Sequence, residues 1–174
     1  MRDILTTGFA KQKARELSQR IRDGREDLYQ LLDIITENEY PASAKAAYVL
    51  RTIADDDHKS VINHISFLTA QLREVTITGA RRDLLKCIYD VDKEQGIPVD
   101  HQGEVMDVCF ERLMDPKSAT AERYYSMFIL ASLSKIYPEI SNELVAAIEV
   151  NLPNETTNFV QNAHKIIASI NARS

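Results

Sequence analysis

The chain has 174 residues, of which 44% are hydrophobic and 27% charged, and a formal net charge of −5. This suits one globular domain with a sizeable core, and only 5 Gly and 5 Pro residues argue against a turn-rich all-β protein. No apolar run is long enough for a membrane span or a secretory signal, and Cys87 and Cys109 form no disulfide framework, so we expect a soluble cytoplasmic protein that does not enter membranes.

Apolar residues recur at spacings of three and four along the chain, which is the period of an α-helix, and no segment alternates long enough to form a strand. Gly and Pro residues between these segments mark helix ends, as Gly24, Pro41 and Gly96 do. The predicted helices span, in chain order, residues 9–23, 25–38, 41–55, 58–74, 79–93, 101–115, 119–136, 139–151 and 155–171. Four side chains are expected to cap helices at their N-termini: Asp57, Asp100, Ser118 and Asn154.

The first predicted helix is basic, although the chain as a whole is acidic. Residues 1–25 contain seven basic and three acidic residues. A basic end on an acidic body can mark an element that binds a partner, but charge runs more often form a solvated helix face. We favour the solvated face.

The apolar pattern also repeats over a longer distance. Segment 47–53 can be aligned with segments 82–88 and 127–133, and the matching residues Ile53, Ile88, Leu133 and Ile170 are 35, 45 and 37 positions apart. A spacing of roughly 35–47 residues with two helices per unit is typical of a helical solenoid.

Two segments resemble units of the HEAT-repeat family. Residues 31–53 (LLDIITENEYPASAKAAYVLRTI) and 113–133 (LMDPKSATAERYYSMFILASL) each combine a leucine-containing helix end, a short polar turn, a basic residue and an apolar second helix. The basic residue is Lys45 in the first segment and Arg123 in the second. Units at 75–91 and 150–170 match less well, because the first lacks Pro in its turn and Lys165 comes late in the second.

The resemblance implies an all-α fold, a right-handed superhelix of antiparallel helix pairs with about nine helices. The chain would then be a single domain, 1–174, with a basic N-terminal capping helix at 9–23. Its helix pairs would be 25–55, 58–93, 101–136 and 139–171. An irregular helical bundle is the alternative.

The sequence contains no recognisable catalytic, metal or cofactor motif. Residues 55–58 (DDDH) suggest a metal site, but adjacent helical residues point to different sides, so we favour a turn in which Asp57 caps the next helix. The spacing of Cys87, His101 and Cys109 matches no structural zinc pattern. The sequence also lacks four motifs that are typical of enzymes. These are a phosphate-binding Gly-rich loop, G-x-S-x-G, H-E-x-x-H and the Met-Pro-Lys-Asn-type loop of the adenylosuccinate lyase superfamily.

Tyr124 and Tyr125, with Met127 and Phe128, form an aromatic and apolar stripe in the seventh predicted helix. Such residues are enriched at binding hot spots. At helical spacing, however, a stripe of this kind more often faces the core, and we favour the core.

The favoured function is a non-catalytic interaction or scaffold module. In HEAT proteins the second helices form a concave surface that holds a protein or peptide. Six basic residues lie in predicted second helices here and, if they share one face, form a positive ladder suited to an acidic partner: Lys45, Arg51, Arg82, Lys86, Arg123 and Lys165.

Two alternatives belong to other classes. The first is a nucleic-acid-binding protein similar to HEAT-like DNA glycosylases, which the pI of 5.4 and the absence of Trp disfavour. The second is an enzyme of unrecognised type, for which no catalytic residue can be named. Either a monomer or a homodimer is compatible with the sequence.

Overall fold

The computed structural model describes residues 1–173, which are 78% helical and contain no strand. The predicted all-α fold class is therefore confirmed. The α-helices are α1 (Arg2–Thr6), α2 (Lys11–Arg22), α3 (Leu28–Thr36), α4 (Ala42–Asp56), α5 (Lys59–Ile62), α6 (Ile65–Glu74), α7 (Thr78–Gln95), α8 (Val99–Met114), α9 (Thr120–Leu133), α10 (Ser141–Asn151) and α11 (Thr157–Asn171). Short 3-10 turns at Pro138–Ile140 and Leu152–Asn154 precede and follow α10.

The chain divides into two compact units, Met1–Ile97 and Pro98–Ser174. The first contains α1 to α7, and the second contains α8 to α11. The single-domain arrangement stays a prediction, because a repeat domain can itself consist of locally compact groups of repeats.

In the first unit, α4 is the central helix and packs against α2, α3 and α7. The turn between α3 and α4 is closed by the Ser43 hydroxyl, which donates to the carbonyl oxygen of Ile34 at 2.7 Å, so these two helices form an antiparallel pair. Helices α4 and α7 run in parallel, because Arg51 in mid-α4 bonds Asp83 early in α7 while Asp55 at the end of α4 bonds Lys86 further along α7.

The core of the first unit consists of the apolar residues that the helical period identifies. Its fully buried members include Leu31, Ile35, Leu50, Ile53, Leu84 and Ile88. Burying a side chain of this kind contributes about 1.5–3 kcal/mol relative to leaving it exposed. These contacts fix the relative positions of α3, α4 and α7.

The second unit repeats the same plan. Helix α9 packs against α8, α10 and α11. At one end, the Tyr137 hydroxyl donates to Gln102 Oε1 at 2.6 Å. At the other end, Asn151 Nδ2 donates to the Leu113 carbonyl oxygen at 3.0 Å. Because these bonds join corresponding ends of α8 and α10, the two helices are parallel.

Side-chain bonds between neighbouring repeats join residues separated by similar distances in the chain. Asn38 and Thr76 are 38 residues apart, Arg51 and Asp83 are 32 apart, and Gln102 and Tyr137 are 35 apart. These separations of 32–38 residues are close to the repeat spacing read from the apolar pattern, because within each unit equivalent positions of consecutive repeats lie side by side.

Two details of the predicted helices are wrong. The expected helix over 58–74 is interrupted, because the His64 N–H bonds the Val61 carbonyl oxygen in a tighter turn. The His64 ring lies edge-on to Tyr29 at 5.7 Å. Asn63 and His64 both have low helix propensity, which makes a break at this point inexpensive. Helix α1 was not expected at all.

Helix capping was predicted only in part. Asp57 does accept the Lys59 N–H at 3.2 Å at the start of α5, and Gly96 ends α7 with φ +79°. The other three expected caps are wrong, because α8 and α9 have no side-chain cap and Thr156 caps α11 in place of Asn154.

Candidate functional site

Four of the six predicted basic residues lie in the first unit, two on α4 and two on α7. They are Lys45, Arg51, Arg82 and Lys86. Since α4 and α7 pack side by side, the structure brings these four together on one surface. We call it the α4–α7 face. It also contains three carboxylates: Asp55, Asp83 and Asp90. The sequence pointed to Asp55 only as part of a metal cluster, and it did not point to Asp83 or Asp90.

Asp83 joins two of the basic residues. Its side chain is only 1% exposed and accepts from Arg51 Nη1 and from Arg82 Nη2, each at 3.0 Å. Arg51 also lies over the ring of Tyr48, 4.5 Å from its centre. A buried carboxylate without a cation would be strongly destabilising. Arg51 therefore joins α4 to α7 and is not free to leave Asp83.

Lys86 occupies a similar position further along the face. Its ammonium group pairs with Asp90 on α7 and with Asp55 on α4. Burial lowers the pKa of Lys86, but the hydrogen bonds and charges of Asp90 and Asp55 outweigh burial and raise this pKa above its ordinary value. Burial and the Asp55 charge raise the pKa of Asp90 against the opposing effect of Lys86. Lys86 thus stays charged and engaged.

The start of α4 and the start of α7 enclose a cleft of about 220 Å³, which we call the basic cleft. Lys45 and Arg82 line it together with Phe9, Tyr40 and Tyr48. The Lys45 ammonium lies 5.4 Å from the centre of the Phe9 ring, and Tyr40 is 80% exposed. The cleft therefore offers two cations among aromatic side chains.

A second cleft, of about 290 Å³, lies at the other end of the same two helices. It is lined by Ala54, Asp55, Asp56, His58, Asp90 and Glu94, and we call it the acidic cleft. Asp56 pairs with Arg22 of α2 at 3.0 Å. Glu94 is exposed and has no ion-pair partner among residues 1–173. The α4–α7 face therefore has a basic cleft at one end and an acidic cleft at the other.

The remaining two predicted residues lie in the second unit. Arg123 donates to Glu155, whose side chain is 1% exposed, and to the Asp115 carbonyl oxygen at 3.2 Å. Arg123 and Glu155 are 32 residues apart, as Arg51 and Asp83 are. Arg123 thus also connects neighbouring helices. Lys165 lies exposed on α11.

The aromatic stripe of α9 divides between core and surface. Met127 is fully buried, as predicted. Tyr124 and Tyr125 are instead partly exposed and line a cleft of about 400 Å³ with Thr120 and Thr156. Their rings meet edge to face at 5.7 Å.

The groups considered for chemistry have other roles. Asp57 bonds Lys59 and Ser60 at the start of α5, whereas Asp55 and Asp56 pair with cations elsewhere. Cys87 is fully buried, and burial raises the pKa of its thiol well above the usual range, which is unsuited to a nucleophile. Within the described part of the chain, no three His, Cys, Asp or Glu side chains are placed to hold a metal ion.

Comparison with known proteins adds one match. A family model described as HEAT repeat domain matches residues 1–170. No curated protein and no solved structure matches the chain. Among the helices that the structure describes, none combines the length and apolar character required to cross a bilayer.

Proposed function

Because the chain belongs to the HEAT-repeat family, whose helical repeats are commonly used in protein interaction, we propose that it is a non-catalytic module that binds an acidic segment of a partner protein on the α4–α7 face. Members of this family are typically not enzymes. The proposal places the protein in a reducing compartment such as the cytoplasm, where the free thiols of Cys87 and Cys109 persist.

The observation that carries this proposal is the environment of Lys45. Its ammonium group faces the Phe9 ring and pairs with no carboxylate among residues 1–173. Across the basic cleft, Arg82 and Arg51 both bond the Asp83 carboxylate. The ammonium group of Lys45 is therefore a positive charge in the lining of the cleft that a partner carboxylate can neutralise.

The aromatic residues of the cleft supply the second element of a binding site. Phe9 and Tyr48 meet edge to face at 6.1 Å, which holds both rings in place. Tyr40 projects into solvent at the rim. Rigid aromatic and basic side chains together are typical of binding hot spots. A partner segment with an acidic residue next to an apolar one matches this lining.

Site-specific cross-linking in the native cell tests the proposal. A photo-reactive phenylalanine analogue replaces Tyr40 in the unaltered chain and in the double variant Lys45→Glu/Arg82→Glu. We expect a defined cross-linked partner with the first chain and its loss with the variant. The same analogue at Val150, which is 66% exposed in the second unit, shows which cross-links arise from exposure alone.

A matched control separates the basic cleft from total charge. Lys59→Glu/Lys93→Glu makes the same change in net charge at two exposed positions of the first unit and should keep the cross-linked partner. Equal loss in both double variants, or a partner retained by Lys45→Glu/Arg82→Glu, would contradict binding in the basic cleft. Circular dichroism spectra of all variants show whether the helices are intact.

A further inference from the structure

The two ends of the α4–α7 face carry opposite excess charge. The charged residues that line the basic cleft are two cations, Lys45 and Arg82, and one carboxylate, Asp83. Four carboxylates line the acidic cleft: Asp55, Asp56, Asp90 and Glu94. The first three pair with Arg22, Lys86 and, at 3.8 Å, Arg51, whereas Glu94 has no ion-pair partner among residues 1–173. The basic cleft is therefore lined mainly by cations and contains Lys45, which pairs with no carboxylate among residues 1–173, whereas the acidic cleft is lined by carboxylates and contains the unpaired Glu94.

The direction of the helices adds to this separation. Because α4 and α7 are parallel, both N-termini lie at the basic cleft and both C-termini at the acidic cleft. Each helix N-terminus carries about half a positive charge and each C-terminus about half a negative charge. The helix dipoles thus reinforce the side-chain charges at both ends.

The length of the helices sets the distance between the two ends. Lys45 and Asp55 are ten positions apart in α4, which corresponds to about 15 Å at 1.5 Å per helical residue. An extended peptide advances roughly 3.3 Å per residue, so four to five residues of extended chain would cover this distance.

We propose, on the basis of the function proposed above, that the partner segment is an extended peptide with an acidic residue and a basic residue four to five positions apart. Its carboxylate enters the basic cleft and pairs with Lys45 and Arg82. Its ammonium or guanidinium group enters the acidic cleft and pairs with Glu94 and Asp56. The opposite charges of the two clefts determine the direction in which the peptide lies along α4 and α7.

A peptide fits this surface better than a second copy of the chain does. The side chains of Arg51 and Lys86 are only 25% and 23% exposed and are held in their own ion pairs. A second α4–α7 face would therefore bring few charged side chains able to enter clefts of about 220 and 290 Å³. The side chains of a flexible peptide can enter both.

The test measures the binding of four labelled synthetic peptides to the full chain by fluorescence polarisation at low salt. The first carries Glu-Glu and Lys-Lys separated by four Ser, Ala or Tyr residues. In the second, Ser replaces the lysines, and in the third, Ser replaces the glutamates. The fourth has both charged pairs without the spacer. We expect the first to bind about fivefold tighter than the second, because partly desolvated ion pairs at a second cleft contribute modestly.

Variants of the chain test which charged pair of the peptide binds in which cleft. Asp56→Lys/Glu94→Lys should reduce binding of the first peptide to the level of the second and should not weaken binding of the second. Lys45→Glu/Arg82→Glu should abolish binding of both, while Lys59→Glu/Lys93→Glu should retain the preference for the first. The milder pair Asp56→Asn/Glu94→Gln should lose part of the fivefold preference if the double lysine variant does not fold.

The outcomes distinguish this inference from the function on which it rests. If the first and second peptides bind equally and the acidic-cleft variants change nothing, the paired-charge inference is wrong while binding of an acidic segment stands. If only the third peptide binds, or if none binds at millimolar concentration, the inference is overturned and the Tyr40 cross-link decides the proposed function alone. If sedimentation shows a dimer, and if Lys45→Glu/Arg82→Glu and Asp56→Lys/Glu94→Lys both dissociate it, the α4–α7 face binds a second copy of the chain instead.

Discussion

At the residue scale, Asp83 is the carboxylate on which the α4–α7 face depends. Replacing it with Ala removes the hydrogen-bonded partner of the half-buried Arg51, which within residues 1–173 keeps only the 3.8 Å ion pair with Asp55. We expect a loss of about 2 kcal/mol in the free energy of unfolding, less than for a fully buried pair because Arg51 and Arg82 are partly solvated. Urea unfolding measures this loss. Asp56→Ala, which removes a carboxylate that is 49% exposed, should cost under about 0.5 kcal/mol. Equal losses in both would show that Asp83 has no special role.

His64 should make stability depend on pH in a defined direction. Burial lowers the pKa of His64 below its ordinary value of 6.5. The unfolded chain therefore binds more protons than the folded chain between the lowered value and 6.5, so stability falls as pH decreases through that window. Urea midpoints at pH 5 and pH 7.5 should differ less for His64→Gln than for the unaltered chain. An unchanged pH dependence in the variant would refute this assignment.

At the scale of single residues, the site could be predicted from the sequence only in part. The apolar period places Lys45, Arg51, Arg82 and Lys86 in second helices, and the structure brings them onto one face. Whether such a cation is engaged depends on a carboxylate 32 positions away, as for Arg51 with Asp83. That pairing follows from the stagger between neighbouring repeats. A sequence of degenerate repeats does not define this stagger to within one residue.

At the scale of elements, two glycines in different backbone states allow a matched prediction. Gly96 ends α7 with φ +79° and ψ 156°, a backbone region that is essentially restricted to glycine and costs an alanine about 1–3 kcal/mol. Gly103 lies inside α8, and an added Cβ there would meet nothing within 4 Å. We expect Gly96→Ala to destabilise the protein and Gly103→Ala to stabilise it by about 0.5–1 kcal/mol. Thermal unfolding checks both, and the same sign for the two changes would contradict the argument.

Most helices could be predicted because their ends carry local signals, and the errors occur where tertiary contacts decide. Gly96 marks the end of α7 through its own backbone preference. The break between α5 and α6 at His64 accompanies a contact with Tyr29 of α3, which no local pattern reveals. Thr156 caps α11 because Leu152–Asn154 forms a 3-10 turn that delays the helix start. Local propensity alone cannot choose between Asn154 and Thr156.

At the scale of the whole molecule, the basic residues that stabilise the fold through ion pairs differ from the basic residue that is available to a partner. The pairs Arg51 with Asp83 and Arg123 with Glu155 occupy equivalent positions in the two units and bury their carboxylates. They connect neighbouring repeats. Lys45 has no carboxylate partner within residues 1–173, and Tyr40 beside it is exposed. The basic cleft is therefore the part of the ladder that remains available to a partner.

The division into two compact units predicts that the first unit folds when it is produced alone as residues 1–97. The ion pairs of the α4–α7 face lie within this range, and so do its fully buried residues Leu50 and Leu84. In repeat proteins stability is approximately a sum of local terms, and roughly 100 residues is an ordinary size for independent folding. We expect the fragment to show a helical circular dichroism spectrum and cooperative urea unfolding. It should also retain the Tyr40 cross-link and its loss in Lys45→Glu/Arg82→Glu. A fragment that is unfolded at all urea concentrations would mean that the two units form one cooperative domain, with the binding face dependent on both.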